Sequence, residues 1–574
     1  MKNRLLTKNT SLVLILMIVI SLVLIMMPMM LFFNNSQLQE EPAFYSIKKE
    51  RVIKISPFET EKERILFLPS GFTKNDLDID KDELKELEII ELKEIPTVFI
   101  ETKIGDIGEV DSDPEKNTSA RAELTFFDAS GVVVEKEMAK LSGRGNTSWL
   151  YDKKPYNVTF DEPISVLGMG KSRKWCLLAN STDYYGLSNK VVYDFASKLD
   201  FAYVPDVCFV NVFINGQYNG LYQFSEKIEV SENRLNPDRK DLYLLETDLN
   251  IDIYKAEDFF ITKGNNIIEV RYPYAVSDSL KKRINDEVEE FEDTLLDPHD
   301  QRWKDIIDID SWARIYILDE LFENLDGGFY SVFFYKNNDG KYVRGPVWDY
   351  DKILYYENDQ IMVGNEVRFS NEININYNYY LLQKPDFFAR VREIFEKEFL
   401  PIAEEELIKS ITETADLIRT SAEADCMRWK REYKSSEEMI RLIKNRTSFL
   451  RRYFADPDRY CKVQIEELTG YLRDYIVEKG HTIKEAADLD ESLLDTVLFY
   501  RNNGERFDVE DIIEKDICLV RNTKFEQTIP IVSITETRTE IGLINSVFIV
   551  LFMFCFSAII YIIITRVLNG KVSS

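Results

Sequence analysis

With 574 residues, 45% of them hydrophobic and 13% aromatic, the chain is too long for one average core and too apolar to be disordered. A formal charge of −28 excludes the basic stripe on which nucleic-acid binding depends. Six cysteines without a C-x-x-C pair exclude a zinc knuckle or a disulfide-dense scaffold, and the two histidines, His299 and His481, stand too far apart for most histidine-based metal or triad chemistry.

In chain order, Ser11–Phe33 is an uncharged apolar run behind Lys2, Arg4 and Lys8. It is long enough to span a bilayer, and Asn34-Asn35-Ser36 offers no small-residue cleavage site, so an uncleaved transmembrane helix is expected at 11–33 after a short N-terminal segment, 1–10. Residues 34–93 read as a charged juxtamembrane region, with a short helix expected over Lys81–Leu92. Strand signals follow at Glu94–Glu101, Ala122–Phe127 and Val132–Glu135, with Asp128–Gly131 as a turn. More fall at Tyr156–Phe160, Lys174–Leu178, Phe209–Ile214 and Gln217–Ile228, the last two joined by the type I′ signal Asn215-Gly216. Asn189–Leu199 and Ile309–Leu325 have helical patterns, and residues 386–455 read as helices ending in Met439–Phe454. The polar stretch from Asp351 to Tyr380 has no period and reads as a loop or lid. Residues 456–540 form a smaller region with weak helical signals at Leu489–Leu498 and Val509–Ile517, ahead of a second apolar run, Ile541–Thr565, and a tail, 566–574. The positive-inside rule places both termini in the cytoplasm and residues 34–540 outside. The fold class expected is α+β, between two transmembrane helices.

The chemistry gathers at one β-hairpin. Its arms are Phe329–Lys336 and Lys341–Trp348, its turn is Asn337–Gly340, and Asn324-Leu325-Asp326 and Trp348-Asp349-Tyr350-Asp351 stand at its two ends. If the turn centres on Asp339-Gly340, the ladder puts Asp351 opposite Gly328, two residues from Asp326, so the carboxylates share one region. Such a cluster reads either as a divalent-metal site holding phosphate or as an acidic hairpin mouth in an acidic protein. Arg144, between glycines in Leu141–Trp149, reads as a phosphate contact or as one half of a structural ion pair. In Lys153–Phe160, period two puts Lys154 on the apolar face with Tyr156, Val158 and Phe160, where it must be paired or meet an anion. Gly168-Met-Gly-Lys-Ser172 is not a P-loop, because the glycine which that pattern requires at position 165 is a serine.

Taken in order, these blocks carry a resemblance. Arg144-Gly-Asn-Thr-Ser-Trp149, Lys153-Lys-Pro-Tyr156, Leu167–Ser172, Trp175–Asn180 and Asn189-Lys190 come first. Asn215–Tyr222, Glu226-Lys227-Ile228, Asn324-Leu-Asp326 and Gly345–Asp351 follow. The chain resembles the spore-coat protein H (CotH) kinase family over residues 94–455. The resemblance implies a divergent, atypical protein-kinase-like fold that uses ATP with Mg²⁺ or Mn²⁺. It implies that Asp326 is the catalytic aspartate, that Asp351 or Asp349 is the metal ligand, and that Lys154 and Arg144 grip phosphate, with Glu226 and Lys227 near the nucleotide. The standard kinase strings are absent, and Lys352-Ile353 follows Asp351 where related sequences often carry a glycine. The activity implied is phosphorylation of serine or threonine on an envelope or spore-coat protein. The alternatives are a non-catalytic surface module for adhesion or assembly and a glycan-modifying protein.

Overall fold

Strands with apolar residues at every second position close here into a barrel. The computed structural model describes residues 45–48, 52–60, 63–103, 106–236, 242–248, 258–324, 326–354, 376–466, 472–482, 497–501, 505–508 and 510–523. Both apolar runs lie outside these residues, as does most of the polar stretch after Asp351; among the described residues no helix is long and apolar enough to cross a membrane.

The barrel strands are β1 (Thr97–Thr102), β2 (Ser119–Asp128), β3 (Gly131–Gly143), β4 (Tyr156–Ile164), β5 (Ser172–Leu178), β6 (Val207–Ile214) and β7 (Gln217–Glu226). They close in the order β4-β5-β7-β6-β1-β2-β3, with β3 pairing back onto β4. All neighbours are antiparallel except β1 and β6, whose parallel register runs from Thr97↔Asn211 to Ile100↔Ile214. Val98, Ile100, Leu124, Phe126, Val158, Trp175, Leu177, Val212, Tyr222 and Phe224 alternate inward and form the interior. Phe99, Phe127, Phe213 and Tyr218 point outward instead and pack with Phe67 of the strand Arg64–Leu68, the Phe67 and Tyr218 rings lying 4.4 Å apart. The Asn215-Gly216 turn has positive φ at both residues, 50° and 81°, as a type I′ hairpin requires.

The expected helix over Lys81–Leu92 is a 3₁₀ turn, Glu83–Glu86, followed by the strand Leu87–Glu91. The adjacent β-branched pair Ile89-Ile90 suits a pleat, and the segment pairs in parallel with Arg64–Leu68.

A second sheet has β8 (Leu244–Thr247), β9 (Phe259–Ile261), β10 (Ile267–Tyr272), β11 (Val332–Lys336) and β12 (Tyr342–Arg344), in the order β9-β10-β8-β11-β12. The helices around these sheets include α1 (Ser188–Ala196), α2 (Asp278–Leu296), α3 (Ile309–Leu321), α4 (Glu406–Trp429) and α5 (Ser436–Ala455). Caps fix where three of them begin: Ser277, Asp308 and Ser435 each accept a backbone N–H from three residues on. Two buried ion pairs fasten α4 and α5. Lys153, beside the barrel, meets Asp425 of α4 at 2.6 Å, and Arg446 of α5 meets Glu320 of α3.

The chain divides into two compact units at Pro457 and Asp458. In the second, the strands Leu472–Glu478, Tyr460–Glu466, Ile517–Thr523, Val497–Arg501 and Arg506–Phe507 make one sheet in that order. The weak helical signals expected here are overturned for Val497 and Leu498, which are strand, and for Asp511–Asp516, which has no helix; most of Leu489–Leu498 lies outside the described residues.

Candidate active site

The hairpin that carries the acidic blocks is shorter than its sequence suggests and differs in register by one residue. Lys336 pairs with Tyr342 and Phe334 with Arg344, so the turn centres on Asp339, and the last ladder bond is Gly345 N–H to the Phe333 carbonyl at 2.9 Å. Pro346 has no N–H to extend it. The two blocks are joined beyond the ladder by a buried side chain, Asp319, near the end of α3. One Asp319 oxygen, Oδ1, accepts from the Tyr350 hydroxyl at 2.6 Å and the Asn324 amide at 3.1 Å. Among the described residues its other oxygen, Oδ2, has no hydrogen-bond partner. The space is tight, since a Cβ on Gly327 would stand 3.0 Å from the Asp319 Cγ. Burial is the largest influence on Asp319 and pushes its carboxyl up to about 6, against the pull of buried Arg344 and the two donors.

Asp326, Asp349 and Asp351 line one cleft of about 560 Å³, together with Arg144, Lys227 and Lys352. Asp349 has a left-handed backbone, φ 67°, and its Oδ2 accepts from Ser331 at 3.0 Å. Next to it, the Tyr350 N–H donates to Asn189 of α1 at 2.8 Å. Asp351 accepts from the Thr182 hydroxyl, just past β5. Burial, then the charges of Asp349 and Asp326, push Asp351 up to about 7, although Thr182 and Lys352 pull the other way. Burial also raises Asp326, whose side chain is held by the Lys352 ammonium at 3.1 Å.

Two cations face this cluster from the barrel side. Arg144, in the loop after β3, lies over the Trp348 ring at 5.6 Å, and Trp348 stacks on Tyr193 of α1. Lys227, just past β7, donates to Asn157 of β4 at 3.1 Å. Burial and the nearby Arg144 charge lower its pKa, which makes it a cation short of solvation and suited to an anion. Elsewhere on the rim, Glu246 of β8 is pushed up to about 8 by burial and lies 3.2 Å from Arg271 of β10, which also meets Glu269 at 3.0 Å.

The other two residues expected in the site stand behind its walls. Lys154 donates to the Trp149 carbonyl at 2.7 Å, which braces the loop that carries Arg144. Glu226 is buried against Arg234 and accepts from Tyr203 at 2.6 Å. The buried lysine of this stretch is Lys153, not Lys154. The strand begins at Tyr156, so the alternation assumed from Lys154 onward does not extend back across Pro155. Sequence reasoning did not single out Thr182, Ser331, Asp319 or Glu246. The one local signal was the polar run Asn180–Asp183 directly after an apolar strand.

Among the described residues no three His, Cys, Asp or Glu side chains converge closely enough to hold a metal by themselves. Mg²⁺ needs less, since it is commonly bound by one or two carboxylates with waters and substrate phosphate completing the shell. Asp349 and Asp351 are hard oxygen donors, the charge of Asp349 opposes the ionisation of Asp351, and the pair fits an ion of that kind.

Barrel, second sheet and helices thus enclose a cleft in which an aspartate cluster and several cations meet, which defines an α+β domain with a densely charged site. A family model described as CotH kinase protein matches residues 141–450. That is more than half of the chain, and the chain belongs to this family, which suggests a kinase-like function. Comparison with curated proteins finds no match.

Proposed function

We propose that the protein transfers the γ-phosphate of ATP to a serine or threonine of an envelope or spore-coat protein, held at the membrane by the apolar runs 11–33 and 541–565. The observation that carries this reading is the single cleft in which Asp326, Asp349 and Asp351 face Arg144 and Lys227. Asp326, which follows α3, orients the acceptor hydroxyl and takes its proton, a role that its raised pKa suits. Arg144 and Lys227 bind phosphate oxygens, while Lys154 and Glu226 support the walls that carry them. Asp349 and Asp351 are the residues that would hold Mg²⁺ or Mn²⁺; when bound, such an ion neutralises phosphate charge. Ser331 and Thr182 keep the two carboxylates oriented.

The test is protection of the purified protein against heat by ATP with and without Mg²⁺, joined to transfer of labelled γ-phosphate to itself and to a generic protein acceptor. Protection and labelling that both require the divalent ion are expected. One observation favours a second reading, a non-catalytic surface module on the same fold: the Lys352 ammonium already occupies Asp326. No protection and no label would establish that reading.

A further inference from the structure

Lys352 is a cation that the cluster carries with it. Its ammonium lies 3.1 Å from Asp326 Oδ2 and 3.5 Å from Oδ1, with the two side chains 28% and 15% exposed. Of the three clustered aspartates, Asp349 is bonded by the Ser331 hydroxyl and Asp351 by the Thr182 hydroxyl, both uncharged donors, whereas Asp326 is paired with the Lys352 ammonium. The backbone fixes where this lysine starts. Asp351 precedes it, Ile353 and Leu354 after it are buried, and the Leu354 N–H is bonded to the Phe322 carbonyl at 3.0 Å. Lys352 lines the cleft, and its four-carbon stem carries three rotatable donors.

A divalent cation arriving alone at Asp349 and Asp351 meets the repulsion of an ammonium that already interacts with both charges from its place on Asp326. A cation arriving with nucleotide meets a different balance. The phosphates then offer Lys352 a new anionic partner and supply ligands that the protein lacks. We infer that Lys352 is a resident counter-ion that makes divalent-cation binding conditional on nucleotide, so that the cleft takes up metal and phosphate together. This rests on the phosphotransfer reading for the identity of the phosphate, but not for the competition between lysine and metal.

The experiment compares wild type with Lys352→Met, which keeps length and removes charge, Lys352→Gln as a second neutral variant, and Lys352→Arg, which keeps charge. Thermal unfolding of the full chain is followed by tryptophan fluorescence with Mn²⁺ alone, ATP alone, and both. Wild type and Lys352→Arg should respond weakly to Mn²⁺ alone and strongly to the pair. The neutral variants should unfold at lower temperature without metal, and Mn²⁺ alone should rescue them at a concentration at least about tenfold lower than wild type needs. An Mn²⁺ response equal to or weaker than wild type in both neutral variants would overturn the inference, as would no Mn²⁺ response in any variant. If the neutral variants bind Mn²⁺ more tightly but ATP stabilises none of the proteins, the resident counter-ion stands and the phosphotransfer reading falls. If ATP with Mn²⁺ stabilises every protein and Mn²⁺ alone acts on wild type and the neutral variants at the same concentration, the phosphotransfer reading stands and the counter-ion is refuted.

Discussion

Asp319 ties the two acidic blocks together at a cost, and replacing it with asparagine exposes that cost. Burial raises its pKa from the ordinary 3.8 to about 6, so between those values the folded protein holds a proton that the unfolded chain has released. Stability from this group is therefore full below about pH 4 and is lost as pH rises through about 6. A shift of roughly two pH units corresponds to about 3 kcal/mol. Asparagine keeps an acceptor for Tyr350 and Asn324 in the same tight space and does not ionise. Its amide nitrogen would take the place of Oδ2, the unpartnered oxygen that carries the wild-type proton at low pH, so at pH 4 both proteins bury an unpaired donor there. Asp319→Asn should then lie close to wild type at pH 4, and the difference should swing in its favour by about 3 kcal/mol by pH 7.5. Urea unfolding read by tryptophan fluorescence suits the measurement, because all 6 tryptophans, from Trp149 to Trp429, lie in the first compact unit. A difference between the two proteins that stays flat with pH would refute the argument. It would mean that Asp319 is no more costly to ionise in the fold than in the unfolded chain.

Asp351→Ala is expected to lose Mg²⁺-dependent ATP binding and transfer together, whereas Asp326→Ala should keep binding and lose transfer by orders of magnitude, as single-turnover and equilibrium assays would separate. Arg144→Ala and Lys227→Ala should each weaken ATP binding by roughly 1.5–3 kcal/mol in calorimetry, the range for hydrogen bonds to charged groups. Lys154→Ala should change it far less, because that ammonium is bonded to the Trp149 carbonyl. Protease added to intact cells should remove the central region and spare an N-terminal tag; survival of that region until the membrane is opened would reverse the proposed orientation.

Many of the barrel's strands, though not its closure, were legible because they alternate apolar with polar residues, and the Asn215-Gly216 and Asp128–Gly131 turns announce themselves by residue type. The hairpin was legible as an element but not in register, since Asn337–Gly340 permits a turn centred on either side of Asp339. Arg144, Lys227 and the three aspartates could be found because their neighbours in the chain are distinctive, and they do line one cleft. What sequence could not supply was pairing at a distance. Lys153 is buried because Asp425 waits for it on a helix far along the chain, and no local pattern distinguishes it from Lys154. Asp319 reads as an ordinary helical acid until the fold sets it beneath Tyr350.

The barrel's closure decides where the chain can be cut. The family match begins at Leu141, yet β1, β2 and most of β3 precede that residue. A protein started there would carry every residue proposed to touch nucleotide and would leave the barrel unsealed. β4 and β6 would lose their neighbours β3 and β1, leaving two unpaired edges beside an interior stripped of Val98, Ile100, Leu124 and Phe126. Edges of that kind recruit other chains, so such a truncation should come out of cells as aggregate. The smallest piece worth expressing begins before Thr97. The homology boundary and the folding boundary of this protein are different places, with the strands between them serving as the staves that let the rest hold water out.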